Sequence, residues 1–328
     1  MVKRILAAAI LMTVMVLLLP RLSDTAALPA PAATDASTAA PDKTAAPLQA
    51  DSERSIRLLA GGEVHKISVY DYLLGVVAAE MPVSFEPEAL KAQSVAARSY
   101  LQRAIASPKH DGADICSDSS CCQAYLSEDE LRSSWGENYE AYMEKIRAAV
   151  TATDGEYLSY DGQPAMAAFH SSSDGETEDS SAIWSDVPYL VSVSSPETAE
   201  TVPNLVSSVE SADIDFRDTI LYLKPEADMT GDAGSWVGEV KRSASGRVAA
   251  VTIGGVEFTG GELRSLFKLR STDFDISHAD GKFVFTVRGY GHGVGMSQYG
   301  ADTMAKQGSS YREILSHYYP GTTLVDKG

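Results

Sequence analysis

The sequence is poor in basic residues and has no basic stretch. Its 328 residues include 27 lysines and arginines against 45 aspartates and glutamates, a formal net charge of −18. A surface this acidic repels phosphate backbones, so we expect no nucleic-acid partner. The chain also lacks any visible internal repeat. Its 44% hydrophobic content excludes a disordered acidic tail and is enough for one large core or two smaller ones.

A long apolar run occurs at the N-terminus. Residues 5–19 are apolar apart from Thr13, and they follow Lys3 and Arg4. At about 1.5 Å per residue this run spans roughly 22 Å, less than a bilayer core of roughly 30 Å. We interpret residues 1–22 as an export signal, either a cleaved signal peptide or an uncleaved, tilted membrane anchor. In both cases the remainder of the chain lies outside the cytoplasm.

The composition sets the domain limits. Residues 28–50 contain nine alanines and four prolines and show no apolar period, which is typical of a solvated tether. We therefore place an Ala/Pro-rich tether at residues 23–54 and a folded domain at residues 55–328.

Hydrophobic periodicity and turn residues predict the elements of that domain. Strands or hairpins are expected at residues 55–69, 157–169, 247–258 and 283–288, and helices at residues 72–80, 87–105, 261–269, 297–306 and 311–318. Asp71 can cap the first helix, and Pro82 ends it. Helices and hairpins are segregated along the chain and do not alternate as in parallel-sheet units. The prediction is an α+β fold of antiparallel hairpins and sheets with segregated helices, in an elongated domain after the membrane segment.

Glu80 continues the apolar stripe of the first predicted helix. Leu73, Val76, Val77 and Glu80 occupy positions i, i+3, i+4 and i+7, so the carboxylate faces the same side as the buried residues. Burial raises the pKa of a carboxyl group towards the range of a general acid. The alternative is a structural carboxylate that sits at a frayed helix end or pairs with Arg98 or Lys91.

The second predicted helix presents two cations on one stripe. Lys91, Ser94 and Arg98 recur at helical spacing. This stripe could bind an anionic or amide-bearing ligand, or it could be a solvated face.

His110, Cys116, Cys121 and Cys122 form a compact cluster in the sequence. Four such donors suit a tetrahedral Zn²⁺ site, and with all four positions filled by protein the metal would be structural. The alternative is a disulfide from Cys116 to Cys121 or Cys122, which an exported protein permits.

A glycine-rich segment follows the predicted strand at residues 283–288. Residues 289–301 read GYGHGVGMSQYGA, in which His292, Ser297 and Gln298 supply polar groups. This favours a ligand-binding loop over a tight turn with a core histidine. It lacks the Gly-Lys-Ser/Thr ending of a phosphate loop.

Three blocks of the sequence resemble signature blocks of the stage II sporulation protein D family (SpoIID/LytB). They are residues 72–82, residues 88–98 and residues 289–301, and they occur in the expected order within a similarity that runs from about residue 56 to residue 324. Residues 169–178, followed by Trp184 and residues 188–190, resemble the serine-rich block of the family, in which Phe or Tyr commonly replaces His170.

The resemblance implies a peptidoglycan lytic transglycosylase that acts in forespore engulfment and has one glutamate, here Glu80, as acid and then base. It further implies that Lys91 and Arg98 are needed for activity, and that His110, Cys116, Cys121 and Cys122 match a zinc site of some members, with Cys121 replacing a family histidine. The substrate-binding residues that we expect are Lys91, Ser94, Arg98, Tyr100, Ser172, His292, Ser297, Gln298 and Tyr299.

The implied substrate is the glycan strand of peptidoglycan, cleaved between N-acetylmuramic acid and N-acetylglucosamine. The expected partners are a cell-wall amidase or endopeptidase of the engulfment machinery and a membrane partner, at the sporulation septum or engulfing membrane. One alternative is a non-catalytic enhancer of a cell-wall amidase. A second is a zinc amidase, which a cysteine-rich metal site without an open position disfavours.

Overall fold

The computed structural model describes residues 49–326. Within this range the α-helices are α1 (Val69–Glu80), α2 (Pro87–Ala106), α3 (Glu128–Trp135), α4 (Tyr139–Ala152), α5 (Asp213–Leu223), α6 (Gly260–Leu266), α7 (Gln298–Lys306) and α8 (Tyr311–Tyr318). The strands are β1 (Ser55–Ala60), β2 (Glu63–Ser68), β3 (Ile115–Cys116), β4 (Tyr157–Tyr160), β5 (Gln163–Pro164), β6 (Phe169–His170), β7 (Val206–Ala212), β8 (Val237–Arg242), β9 (Val248–Ile253), β10 (Val256–Thr259), β11 (Asp273–Ala279), β12 (Lys282–Arg288), β13 (Met296–Ser297) and β14 (Thr323–Val325).

The strands form small sheets that are mostly antiparallel. The strand orders are β2-β1-β3, β10-β9-β8, β11-β12-β7, β13-β6 and β14-β4-β5. Only the short pairs β1-β3 and β6-β13 are parallel among the described strands. This mixture of antiparallel sheets and separate helices confirms the predicted α+β class.

Two large hydrophobic cores, and a small cluster of Leu131, Tyr139 and Met143, support these elements. The larger core is built around α1 and α2 and includes Tyr72, Val76 and Leu90. The second core lies between α5, α6 and the sheets of β7 to β12, where Phe216 stacks on Phe283 and Phe285 lies tilted beside Phe216. The glycine-rich segment at residues 289–295 leaves β12 in the second core and leads into β13 and α7 in the first. It is therefore placed where the two cores meet.

Helix caps explain where the observed boundaries differ from the predicted ones. The Ser68 side chain accepts the backbone N–H of Asp71 at 3.0 Å, so Ser68, and not Asp71, is the N-cap and α1 begins at Val69. A complete capping box between Thr259 and Glu262 starts α6 at Gly260.

The fold begins before the predicted end of the tether. Asp51–Glu53 form a 3₁₀ helix, and Asp51 is fully buried. The predicted signal or anchor at residues 1–22, and the tether up to residue 48, lie outside the described residues. Among the residues that are described, none of the helices has the length and apolar character needed to cross a membrane.

Candidate active site

Glu80 is the last residue of α1 and is half-buried. Its Oε1 accepts the backbone N–H of Ala124 at 2.7 Å. Burial raises the pKa of the Glu80 carboxyl group, while the Ala124 N–H and the Gln298 side chain act in the opposite direction. Burial is the largest of these effects, so Glu80 has the character of a carboxylic acid that retains its proton above the usual pH. Neither Arg98 nor Lys91 pairs with it.

A close approach of α1 to the following loop places the Ala124 N–H. A Cβ atom on Gly75 would lie 2.4 Å from the Tyr125 ring and 2.6 Å from the Leu126 carbonyl oxygen. Only glycine therefore lets residues 124–126 lie directly against the helix. The Gly75 carbonyl also accepts the Leu126 N–H at 3.3 Å. The mid-helix glycine thus holds the donor that contacts Glu80.

Gln298 approaches the same carboxylate from the opposite element, and its Nε2 forms no hydrogen bond with another described residue. It is the first residue of α7 and is 4% exposed. Its N-cap neighbour Ser297 accepts the Gly300 N–H and donates to the buried carboxylate of Glu197. Glu197 also accepts the Ser173 N–H at 2.7 Å. This network fixes the start of α7 and with it the amide of Gln298.

The glycine-rich segment brings two histidines together. Gly291 has φ +116°, and a Cβ atom there would lie 2.7 Å from Cβ of His170, so the position requires glycine. The rings of His170 and His292 are 5.7 Å apart, and Trp184 lies 4.9 Å from His292. Burial, and then the positive charge of Arg264, lower the pKa of His292 to about 4. Its Nδ1 accepts the Val294 N–H, so the neutral imidazole carries its proton on Nε2, and the Phe169 backbone interacts with the ring.

These groups line a cleft of about 810 Å³. Glu80 is the only carboxylate among its lining residues in the described part of the chain. Two buried glutamines on its wall, Gln123 and Gln298, each keep one side-chain polar atom without a hydrogen bond. The exposed rings of Trp184 and Tyr290 also face this space. The arrangement suits a neutral, hydroxyl-rich and amide-rich ligand with flat apolar faces.

The predicted zinc ligands converge beside the cleft. One donor atom from each of His110, Cys116, Cys121 and Cys122 lies within 4.8 Å of the other three. The Sγ atoms of Cys121 and Cys122 are 3.9 Å apart, and His110 Nε2 is 3.4 Å from Cys122 Sγ. Ligands at about 2.3 Å from a tetrahedral zinc are separated by about 3.8 Å. The donor set and its spacing therefore fit zinc, and all three cysteines are free of disulfides.

Three predicted substrate-binding residues line the cleft: Tyr100, His292 and Gln298. Three others, on α2, do not. Arg98 is completely buried and donates to Asp51 at 2.7 Å. The hydroxyl of Ser94 is buried and donates to the Leu90 carbonyl, and Lys91 pairs with Glu88 at 2.6 Å. The α2 stripe that we expected in the groove therefore packs inside the domain or along its surface.

Three further predicted substrate-binding residues support the walls of the cleft from behind. Ser172 is buried, and its backbone pairs with Tyr290. Ser297 is the buried N-cap of α7. Tyr299 packs edge-on against Phe85 at 4.9 Å. Their placement corrects the expectation that they contact the ligand.

Other residues of the cleft were not predicted from the sequence. The Ala124 N–H is a backbone group, so no pattern of side chains in the sequence identifies it. Lys109 donates to the Cys121 carbonyl at 3.1 Å, and Arg264 comes from α6 in the second core. Their roles depend on how distant segments meet, and only the resemblance drew attention to Trp184 and His170.

Comparison with known proteins gives the family of this fold and site. Residues 60–160, which include Glu80 and all four residues of the cysteine and histidine cluster, match the family model described as "SpoIID: Stage II sporulation protein".

The chain is 38% identical over 275 residues to Stage II sporulation protein D of Bacillus subtilis, covering 81% of this chain and 77% of that protein. It is 38% identical over 268 residues to the protein of that name from Bacillus amyloliquefaciens, covering 80% and 76%. A protein named Amidase enhancer, from Bacillus subtilis, is 30% identical over 77% of this chain and 40% of its own length. The chain belongs to the stage II sporulation protein D family, and its relatives support a role in sporulation.

Proposed function

We propose that the chain is a peptidoglycan lytic transglycosylase that cleaves the bond between N-acetylmuramic acid and N-acetylglucosamine during forespore engulfment. The observation that carries this proposal is the lone carboxylate of the cleft, Glu80, with its raised pKa. Hydrolases of such bonds generally use two carboxylates, one as acid and the other as base or nucleophile. A cleft with one carboxylate suits a reaction that needs no activated water.

In the proposed reaction Glu80 acts twice on the same sugar. Its protonated carboxyl group donates to the glycosidic oxygen as the bond to C1 of the muramic acid breaks. The C6 hydroxyl of that residue then bonds to C1 and returns a proton to the Glu80 carboxylate. The products are a 1,6-anhydromuramic end and a new N-acetylglucosamine end, and the enzyme regains its starting protonation. No water is consumed.

The remaining cleft residues bind and orient the sugar. The Ala124 N–H holds Glu80 in place, and the uncharged ring of His292 lines the same space. The unpaired amide atoms of Gln123 and Gln298 can hydrogen-bond to hydroxyl or acetamido groups. Trp184 and Tyr290 provide flat surfaces for the apolar faces of the sugar rings.

We further propose that the domain works outside the cytoplasm, tethered by its N-terminal segment at the sporulation septum or engulfing membrane, where it meets a cell-wall amidase or endopeptidase and a membrane partner. The acidity of the chain means that long-range attraction to an often anionic wall polymer does not supply binding. Proximity from the tether and short-range contacts in the cleft would supply it.

We propose that His110, Cys116, Cys121 and Cys122 hold a structural zinc ion. The ion would fix the loop that carries Ala124, and with four protein ligands it would leave no position for a water nucleophile. This argues against a zinc amidase.

Zinc removal is expected to lower stability. The full-length protein purified without chelators should contain about one zinc per chain, and chelation should lower its melting temperature because metal binding contributes to folding. Metal analysis and thermal denaturation measure both quantities. A chain with less than half an equivalent of zinc and one free thiol, in place of three, would instead contain the disulfide.

The pH dependence of kcat/KM should follow the protonation of Glu80. Because the acid must be protonated to donate, we expect kcat/KM to fall as the pH rises through the raised pKa of Glu80. Replacing Gln298 with Ala removes a group that stabilises the ionised form, so the falling limb should move to higher pH. Initial rates over a pH series measure the shift. An unmoved limb in Gln298→Ala would contradict the assignment.

The competing function is enhancement of a cell-wall amidase, which the relative of that name favours. Full-length protein is incubated with peptide-free glycan strands alone, and separately with stem-bearing wall and a cell-wall amidase. The proposal expects anhydro ends by mass spectrometry in the first reaction. Faster amidase turnover with no anhydro ends in either reaction would establish the enhancer function instead.

A further inference from the structure

Arg264 stands where two clefts join. A second cleft of about 590 Å³ lies beside the first, and Arg264 and His292 line both. Most residues that line the second cleft come from residues 243–272, among them Thr259, Thr272 and Lys268. Glu80 therefore lies in one arm of a longer groove, and Arg264 lies at the junction between the arms.

The guanidinium of Arg264 is only partly engaged. Its Nε donates to the Leu269 carbonyl at a long 3.4 Å, and neither Nη nitrogen donates to an acceptor within residues 49–326. No ion pair between described residues includes Arg264, although the chain has an excess of carboxylates. The residue is half-buried, and a partly desolvated cation without an anion is unfavourable. An anionic ligand in the groove would relieve that cost.

The neighbouring charges favour an anion at this point. Burial lowers the pKa of Arg264, Tyr290 acts in the opposite direction, and the nearby cation Arg247 lowers it. Lys268 lines the second cleft and is exposed. The carboxylate of Glu178 also lines that cleft, but it already accepts the Ser243 hydroxyl at 2.6 Å and the Asp179 N–H at 2.9 Å. The junction thus holds the cation of Arg264 without a paired carboxylate among the described residues, in an acidic protein.

We propose that Arg264 is a specificity-determining residue that binds a carboxylate carried by the glycan strand, with Lys268 adding positive charge along the second arm. This inference rests on the proposed function, because it takes the groove to bind peptidoglycan. Two carboxylates of that polymer have the required chemistry: the lactyl carboxylate of a muramic acid residue whose stem peptide has been removed, and the carboxylates of the stem peptide itself. A planar guanidinium binds either one through paired N–H donors.

The test measures binding to the full-length Glu80→Gln protein, in which cleavage is expected to be slow. The ligands are peptide-free glycan strands, the same strands with their carboxyl groups reduced to alcohols, stem-bearing strands, and chitin oligosaccharides, which have no carboxylate. Arg264→Gln should weaken binding of a carboxylate-bearing strand about 10- to 100-fold, as expected for a charged hydrogen bond. Binding of chitin oligosaccharides should be unchanged, and Arg264→Lys should recover part of the loss.

The ligand whose binding is weakened by Arg264→Gln identifies the source of the carboxylate. A loss confined to peptide-free strands, matched by carboxyl reduction without any mutation, identifies the lactyl group, and a loss confined to stem-bearing strands identifies the stem. The matched control is Arg217→Gln, which removes an exposed arginine of α5 paired with Asp218 and should change no affinity. Circular dichroism checks that each variant is folded.

Equal affinity of folded Arg264→Gln and its parent for every ligand would overturn the inference. If the wild-type chain still formed anhydro ends, the proposed function would stand without this subsite. If it formed none, yet carboxylate-selective binding depended on Arg264, the subsite would stand and the lytic reaction would not.

Discussion

Replacing Glu80 with Gln should lower the rate of anhydro-end formation by about 10²- to 10⁴-fold, the usual contribution of a general acid or base. The amide keeps the shape of the side chain and can still accept the Ala124 N–H, but it can neither donate an acidic proton nor take one from C6-OH. We therefore expect kcat to fall with little change in KM. Initial rates on peptide-free glycan strands provide the measurement.

The same substitution at an exposed glutamate shows whether the lost rate comes from the missing acid or only from the change in net charge. Glu63→Gln alters the charge equally in the exposed β1-β2 hairpin and should retain wild-type turnover. A folded Glu80→Gln protein with full turnover would show that Glu80 is a structural residue at the end of α1.

Replacing Arg98 with Ala should destabilise the domain by about 3–5 kcal/mol, because it leaves the Asp51 carboxylate buried without its cation. Both side chains are 0% exposed, and three N–H···O contacts of 2.7 to 3.1 Å join them. Arg98 also donates to the Glu156 carbonyl at 2.8 Å. Urea denaturation of the full-length protein measures the loss. Arg98 would then be required for activity through folding.

The surface pair of Arg57 and Asp114 is the control for that loss. Its arginine is 54% exposed, so Arg57→Ala should cost less than about 1 kcal/mol. Replacing both buried partners, with Asp51→Leu and Arg98→Met, should recover part of the stability lost in Arg98→Ala. A stable Arg98→Ala protein with normal KM and lost kcat would contradict the structural role and return Arg98 to catalysis.

Local sequence patterns predicted many of the observed helices and strands. Pro82 and Pro87 bracket the boundary between α1 and α2, and α8 occupies the predicted residues 311–318. The predicted elements do not include α3, although Ser127 and Glu130 form a capping box. They also do not include α4, although Tyr139, Met143, Ile146 and Val150 form a buried helical stripe. The same kind of local pattern could have predicted both helices.

The candidate site was harder to predict from the sequence, because helical spacing does not show which residues a helix face will contact. The stripe of Lys91, Ser94 and Arg98 has the pattern of a ligand-binding face, yet a carboxylate 47 residues away occupies Arg98. By contrast, Glu80 could be singled out because it continues an apolar stripe. The Ala124 N–H and Arg264 reach the cleft only through the packing of segments distant in sequence.

The most direct test of Glu80-catalysed lytic cleavage is the mass of the new muramic ends formed in heavy-oxygen water. Full-length protein and peptide-free glycan strands are incubated in that solvent, with Glu80→Gln as the control. Intramolecular attack by C6-OH predicts anhydro ends that contain no solvent oxygen and that Glu80→Gln does not form at a comparable rate. Reducing ends that incorporate one heavy oxygen would show hydrolysis and contradict the proposed reaction.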